Sequence, residues 1–230
     1  MGFVPAGFEL ALGMLIISMI GWGSWANTLK RCGNWRFEAW YVFYAIGFFL
    51  STLVFNFTLG MMGQPTFLDV LSVASGSDMA YASASGIIWN IGNIMLVVSI
   101  VLAGFAFAFP IGVGIAIVLG TILSYIVNPN GNPFLLFLGI TFIIAAIILD
   151  SFAYILRDKH LGRKLNGSKI KKGIIFSIIT GILIGLFPFF LSLSLTPKGS
   201  LDSYAVMLFF TGGALLSTAP FIYLISKFRA

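Results

Sequence analysis

The sequence has little of what soluble proteins and metalloenzymes need. Of its 230 residues only 9% are charged, and it contains one cysteine, Cys32, and one histidine, His160. A soluble domain carries about 25% charged residues, because water must solvate its surface. One cysteine excludes an internal disulfide, and one histidine without a Cys/His cluster argues against a zinc site. These absences predict a chain whose surface mostly faces something other than water, without metal or cofactor.

Signatures of catalysis are also missing. The sequence has no Gly-x-x-x-x-Gly-Lys-Ser/Thr phosphate-binding loop. A Ser-His-Asp arrangement is implausible, because the single histidine lies in a basic segment. We therefore expect that the protein is not an enzyme and does not power itself with a nucleotide.

Long apolar runs dominate what is present. Hydrophobic residues make up 59% of the chain, and the mean hydropathy is +1.05. A membrane-spanning helix needs about 20 mostly apolar residues. The sequence predicts an all-α, multi-pass membrane protein with about seven such helices, over 8–28, 38–60, 84–105, 107–127, 133–156, 173–195 and 203–226.

Two turns separate neighbouring runs in the middle of the chain. The third and fourth runs are nearly continuous from Ile87 to Val127, and Pro110 near the centre predicts a tight turn at 108–110. The sequence Asn-Pro-Asn-Gly-Asn-Pro at 128–133 predicts a turn before the fifth run.

Basic residues cluster between the fifth and sixth runs, against a single acid, Asp158. They are Arg157, Lys159, Arg163, Lys164, Lys169, Lys171 and Lys172. A basic loop between apolar runs indicates topology rather than nucleic-acid binding. Each basic excess falls on the same side, which predicts an external N-terminus and a cytoplasmic C-terminus in a plasma or bacterial inner membrane. Glu9 and the lack of a basic n-region argue that the first run is not a cleaved signal peptide.

Two polar groups lie near the start of the chain. Trp22, Trp25, Asn27 and Thr28 can stack on and hydrogen-bond a ring-shaped solute; an interfacial aromatic belt with packing glycines is the alternative interpretation. Arg36 and Glu38 can form a gate or a proton-linked pair. The alternative for these two is a snorkelling arginine and a glutamate favoured by the helix dipole.

Three further polar residues lie inside the apolar runs. Asn90 and Asn93 share one face of the third run, either to bind solute or to hydrogen-bond neighbouring helices. Asp150, four residues before Tyr154, is the only acid well inside a run. It is a candidate for proton coupling, and pairing with the basic loop is the alternative.

A weak internal repeat relates the second and seventh runs. Residues 43–52 and 209–218 are identical at five of ten positions. The two runs are five spans apart, so the repeats would have opposite orientation, as in many secondary transporters.

Several of these motifs resemble the ureide permease family of the drug/metabolite transporter superfamily, which is related to glucose/ribose and rhamnose porters. The resemblance lies in residues 21–30 (Gly-Trp-Gly-Ser-Trp-Ala-Asn-Thr-Leu-Lys), 35–38 (Trp-Arg-Phe-Glu), 89–93, 103–112, 132–136 and 146–150. It implies a proton-coupled carrier of a nitrogen heterocycle, such as a ureide or nucleobase, or of a sugar. It also implies ten helices in two inverted five-helix repeats, with the solute between them.

Two departures from the family pattern stand out. Phe43 occupies a position that is often acidic in the family, which puts proton coupling there in doubt. The chain also has three helices fewer than the family fold. We expect a first repeat over 1–156, a basic cytoplasmic loop over 157–172 and the first two helices of an incomplete second repeat over 173–230. Dimerisation is one way to complete such a fold.

The leading hypothesis is a secondary transporter of a small polar solute. Its alternatives are a non-transporting membrane scaffold or subunit, and an inactive fragment of a transporter. The expected partners are the solute and the lipid bilayer, with a homodimer as one option and no nucleic acid.

Overall fold

The computed structural model describes residues 2–24, 28, 31–33, 35–162, 167–195 and 199–229, without the side chains of 105, 158 and 225–229. Apart from one isolated β-bridge between Leu195 and Leu201, its described regular structure is helical. The α-helices are α1 (Phe8–Ser24), α2 (Phe37–Phe57), α3 (Phe67–Ser72), α4 (Gly76–Ala103), α5 (Phe105–Val127), α6 (Pro133–His160), α7 (Gly167–Ser194) and α8 (Ser203–Arg229).

Six of these helices are long and apolar enough to cross a membrane: α2 and α4 to α8. Helix α1 is also apolar but has only 17 residues. The prediction of a multi-pass helical membrane protein is confirmed. Each predicted run corresponds to one of these seven helices.

Helix α4 is at the centre of the packing. It contacts α7 and α8 extensively, while α7 also packs on α5 and α8 also packs on α2. Helix α6 packs mainly against α5, and α1 contains no buried residue. The centre of the fold therefore consists of α4, α7 and α8, flanked by α2 and α5, with α1 and α6 at the periphery.

Small residues allow α4 to approach its neighbours closely. A Cβ on Gly86 would collide with the backbone carbonyl of Phe210 on α8. At the other end of α4, the hydroxyl of Ser99 donates to the carbonyl oxygen of Gly173 on α7 at 2.9 Å. Helices in lipid associate through such close contacts and hydrogen bonds, because apolar side chains gain nothing from leaving an apolar solvent.

The break between α4 and α5 differs from the predicted turn at 108–110, and that prediction was wrong. The chain turns at Gly104, whose φ of +77° favours glycine, and Pro110 lies inside α5. Helix α5 starts at Phe105, so proline is accommodated in its second turn. The turn before α6 is confirmed: Asn132 caps α6 by accepting from the N–H of Phe134 at 2.9 Å, and Pro133 begins the helix.

A short helix, α3, precedes α4 and was not predicted. Its capping box joins Thr66 and Asp69, and the hydroxyl of Thr66 donates to Asp69 Oδ2 at 2.6 Å. These hydrogen bonds hold the pKa of Asp69 below its usual range. Helix α4 also begins eight residues before the predicted run, because Ser75 caps it by accepting from the N–H of Asp78.

The two segments of the internal repeat lie on α2 and α8, which pack against each other. Phe48 contacts Phe210, whereas Tyr41 packs near Ile222, so the two helices run in opposite directions. The division into two repeats remains a prediction. Between them, α6 and α7 extend to His160 and from Gly167, so most of the basic residues predicted for the loop lie on helix ends.

Candidate functional site

A buried polar network joins α2, α4 and α8 in the middle of the bundle. The Tyr41 hydroxyl donates to Asn90 Oδ1 at 2.8 Å and accepts from Asn93 Nδ2 at 3.0 Å. Asn90 Nδ2 donates to the hydroxyls of Ser217 at 2.9 Å and Thr218 at 3.2 Å. All five side chains are buried, so the network forms within the protein rather than at its lipid surface.

The two asparagines differ in how much hydrogen-bonding capacity they have left. Both N–H groups of Asn90 are used, and its oxygen already accepts from Tyr41. Asn93 makes only the bond to Tyr41 among the described residues, so its second N–H and its Oδ1 remain available. Asn90 therefore matches the interhelical interpretation, whereas Asn93 retains the capacity to bind a polar solute.

An aromatic wall lies beside this network. It consists of Trp22, Tyr44, Phe48, Trp89 and Phe210. Tyr44 stacks on Phe48 with ring centroids 6.2 Å apart, and Phe48 lies 5.7 Å from Trp89. Trp89 and Asn93 are four residues apart on α4, so the wall and the available amide share one face of that helix.

The wall is open on one side. Trp89 and Phe210 are buried, Tyr44 and Phe48 are half-buried, and Trp22 is 53% exposed. Trp22 meets Trp89 edge-on at 5.9 Å, which is its described link to the bundle. Rings with one accessible face can stack against a planar or ring-shaped solute.

The other predicted residues near the start of the chain have different outcomes. Thr28 accepts a hydrogen bond from Trp40 Nε1 at 3.2 Å, which ties it to α2. Trp25 and Asn27 lie outside the described residues.

Arg36 and Glu38 form an ion pair at the start of α2, and the role of this pair as a gate or in proton coupling stays a prediction. Arg36 Nε lies 3.5 Å from Glu38 Oε2, with 78% of the arginine side chain exposed and 13% of the glutamate side chain. An ion pair with one exposed partner contributes little stability. Glu38 is three residues before Tyr41, so it lies on the network's side of α2.

Asp150 is separate from this network. It lies on an exposed stretch of α6 and forms no ion pair or hydrogen bond with another described side chain. The expected partner, Arg157, instead lies over the ring of Tyr154, 4.8 Å from its centroid. The structure does not bring Asp150 together with Asn90 and Asn93.

Several residues of the site were not among the predicted ones. They are Tyr41, Tyr44, Phe48, Trp89, Phe210, Ser217 and Thr218. Positions 41, 44 and 48 follow the three- and four-residue spacing of one helix face, and this pattern could have indicated an aromatic stripe. Nothing local could have shown that the hydroxyls of α8 meet Asn90, because 127 residues separate Ser217 from it.

The side chains of this arrangement suit the binding of a polar solute. Within the described part of the chain, no three His, Cys, Asp or Glu side chains are grouped so that they could hold a metal ion. Hydroxyls, amides and rings dominate the network and the wall. Such groups suit recognition of an uncharged polar ring compound.

Comparison with known proteins identifies the family of this chain. The family model for ureide permeases matches residues 40–175, which include α4, α5 and α6 in full and most of α2. The chain belongs to the ureide permease family. The predicted resemblance is thus confirmed, and the family is one of permeases rather than enzymes.

The individual relatives of this ureide permease family member share little sequence identity with it. An L-rhamnose-proton symporter of Yersinia pestis bv. Antiqua (strain Antiqua) is 26% identical over 162 residues, which cover 66% of the chain and 46% of the relative. The L-rhamnose-proton symporter of Shigella sonnei (strain Ss046) is 23% identical over 160 residues, with the same shares. The chain thus spans about half the length of the curated relatives it matches. No solved structure matches it significantly.

Proposed function

We propose that this chain acts in secondary transport of a small polar solute with a ring, either a nitrogen heterocycle or a sugar. The observation that carries the proposal is the open aromatic wall beside Asn93, in a member of a permease family. The L-rhamnose specificity of the relatives favours including sugars among the candidates.

The solute would stack on the exposed ring of Trp22, beside the half-buried ring of Phe48. Asn93 would supply one donor and one acceptor, which matches the mixed edge of a ureide, a nucleobase or a sugar hydroxyl. Asn90 would hold the helices that shape the site. Trp25, Asn27 and Thr28 would complete it from the α1 side.

Glu38 is the better candidate for proton coupling than Asp150. Its side chain is mostly buried and lies one helical turn before Tyr41, whereas Asp150 lies on the exposed surface of α6. Arg36 would act as the gate that holds Glu38 while the site is empty. A Glu38→Gln variant should lose pH-driven accumulation of solute but retain exchange of labelled for unlabelled solute, which requires no net proton movement.

The membrane arrangement is part of the same proposal. The N-terminus would be external and the C-terminus cytoplasmic, as the distribution of basic residues predicts. A homodimer is the proposed oligomeric state. Within the chain, one repeat would cover 1–156, and 173–230 would belong to a second.

Ligand-induced stabilisation of the purified chain tests solute binding. The panel would be L-rhamnose, other sugars, uracil and allantoin, each measured by thermal unfolding. A ligand present at 100 times its Kd should stabilise the protein by about 2.7 kcal/mol. Uptake of the best ligand into proteoliposomes then tests transport, with a full-length homologue as the positive control.

The outcomes separate the functional classes. A panel member that stabilises the wild type but not Asn93→Ala supports the site. If no member stabilises the protein and the homologue is active under the same conditions, the scaffold or inactive-fragment alternative replaces the transporter proposal.

A further inference from the structure

A cavity lies between the N-terminal segment and the start of α8. Its volume is about 240 Å³, and it is lined by residues 2–5 together with Asp202, Ser203 and Tyr204. This volume is many times what a single water molecule needs, so the cavity can hold a small hydrated ligand. A helix rises about 1.5 Å per residue, so Ser217 of the polar network lies about 20 Å further along α8. The cavity is therefore separate from the proposed solute site.

Asp202 brings a buried carboxylate to the wall of this cavity. The residue is only 7% exposed. Its Oδ1 accepts from the N–H groups of Tyr204 and Ala205, whereas Oδ2 has no hydrogen-bond partner among the described residues. No described Lys, Arg or His side chain forms an ion pair with it. Because a buried charge without a partner is costly, the unpaired oxygen points to a bound water molecule or ion.

The N-terminal segment forms the rest of the lining, and hydrogen bonds hold it in place. The N–H of Phe3 donates to the carbonyl oxygen of Leu59 at 2.9 Å, and its own carbonyl oxygen accepts from the Tyr204 hydroxyl at 2.8 Å. Gly2 lies so close to the Tyr204 ring that a Cβ there would collide with it. Residues 2–5 form no helix or strand, so their carbonyl oxygens are not used in regular structure. A carbonyl oxygen has two lone pairs, so even that of Phe3 can contact a second group.

The chemistry of this lining suits a cation of low charge. It offers the Asp202 carboxylate, the hydroxyl oxygens of Ser203 and Tyr204, and backbone carbonyl oxygens. Hard cations take such oxygen ligands, and irregular backbone beside a helix end coordinates Na⁺ in membrane transporters. Among the residues that the structure describes, no three His, Cys, Asp or Glu side chains are grouped around a common point. One carboxylate balances a monovalent cation, whereas Ca²⁺ sites usually draw on several.

We propose that this cavity binds a partly hydrated monovalent metal cation, Na⁺, through Asp202 Oδ2 and carbonyl oxygens of the N-terminal segment. The cation neutralises the carboxylate, while Oδ1 continues to cap α8. Water molecules complete the coordination, because the cavity is larger than a bare ion. Bound Na⁺ therefore joins the N-terminal segment to the start of α8.

Equilibrium binding of radioactive Na⁺ to the purified intact chain tests this proposal, with choline chloride keeping the ionic strength constant. The wild type should bind Na⁺ saturably, and unlabelled Na⁺ but not choline should displace it. Asp202→Asn should lower the affinity at least about tenfold, because the charge that attracts the cation is gone. Its amide oxygen still caps α8, so the fold is kept. Asp69→Asn is the matched control: it removes an exposed carboxylate from α3 and should bind Na⁺ like the wild type.

A second measurement needs no variant. Hydrogen exchange at the Phe3 amide of the wild type should be slower in Na⁺ than in choline, because the cation holds the N-terminal segment. Absence of saturable Na⁺ binding to the wild type, or equal binding by Asp202→Asn, contradicts the proposal, and water then completes Oδ2. Na⁺ binding that appears only in Lys198→Gln also contradicts it, since the lysine four residues before Asp202 would then be the counter-ion. Tighter binding of Ca²⁺ or methylammonium than of Na⁺ overturns the choice of cation.

Discussion

At the scale of residues, the structure separates two asparagines that look alike in the sequence. Asn90 and Asn93 lie on one helix face and differ by a single turn, yet Asn90 has three hydrogen-bond partners and Asn93 has one. A buried polar group with its partners in place stabilises the fold. One with remaining capacity can serve a ligand.

This difference predicts unequal effects of the two alanine variants. Asn90→Ala leaves Tyr41 without its acceptor and two hydroxyls of α8 without a donor. The free energy of unfolding should therefore fall by about 1–3 kcal/mol. Asn93→Ala should lower stability by about 0.6 kcal/mol, typical of one hydrogen bond between membrane helices. Its solute affinity should fall at least tenfold, a loss of about 1.4 kcal/mol in binding. Thermal unfolding and ligand titration measure both.

Asn56→Ala is the matched control. Asn56 is also a buried asparagine, on α2, but its Nδ2 has no hydrogen-bond partner. Removing it should change stability much less than Asn90→Ala. Equal destabilisation by all three variants would mean that burial alone matters and that the two roles are wrongly assigned.

A second residue-scale prediction concerns Gly86. A methyl group there meets the Phe210 carbonyl, and backbone cannot move aside as a flexible side chain can. Gly86→Ala should lower the free energy of unfolding by about 1–3 kcal/mol, as overpacking does. Gly114→Ala is the control, because a Cβ on Gly114 meets nothing within 4 Å. This variant should gain about 0.5–1 kcal/mol from its better helix propensity. Thermal unfolding that ranks the two variants the other way would contradict the α4–α8 packing.

At the scale of elements, the start of α8 depends on one carboxylate. Asp202 Oδ1 accepts from the N–H groups of Tyr204 at 3.1 Å and Ala205 at 2.8 Å, while Oδ2 is buried without a partner. The cap thus uses one oxygen, and the negative charge is not needed for either hydrogen bond.

The cap predicts different results for two substitutions of Asp202. Asp202→Ala removes the acceptor and should destabilise the protein by about 1 kcal/mol, whereas Asp202→Asn keeps an equally good cap. Hydrogen exchange should therefore accelerate at the amides of Tyr204 and Ala205 in the alanine variant only. Equal acceleration in both variants would show that the charge rather than the cap holds the helix start.

Two turns between helices show which parts of the fold could be predicted from the sequence. The turn at 128–132 was predicted correctly because all five of its residues disfavour the interior of a helix. The turn between α4 and α5 was placed too late because Pro110 is the more obvious signal, yet the left-handed conformation of Gly104 breaks the helix. A proline in the second turn of a helix is tolerable, so it was the weaker evidence.

At the scale of the whole molecule, charge is divided between the two ends of the bundle. The starts of α4 and α8 lie at one end, where Asp78 Oδ2 accepts from the backbone and hydroxyl of Ser200 at 2.7 Å each. The end of α4 and the start of α7, which carries Lys169, Lys171 and Lys172, lie at the other end. Because basic residues remain on the cytoplasmic side during insertion, the lysine end should face the cytoplasm.

Cysteine labelling checks this orientation. In a Cys32→Ser background, Asn130→Cys before α6 should react with a membrane-impermeant maleimide in intact cells. Leu161→Cys after α6 should react only once the membrane is opened. Both positions are exposed, so the difference reports topology rather than burial. The reverse pattern would place the lysines at the start of α7 outside.

The sequence by itself determined the class of this protein, because membrane spans depend on the length and apolarity of local segments. It also indicated the family and the turn at 128–132. Only the tertiary structure decided which polar residues meet. It joined Asn90 to α8, opened the aromatic wall beside Asn93 and left Asp150 on the surface of α6. The physical reason is that lipid-facing and core-facing positions are both apolar, so hydropathy does not reveal which face of a membrane helix is buried.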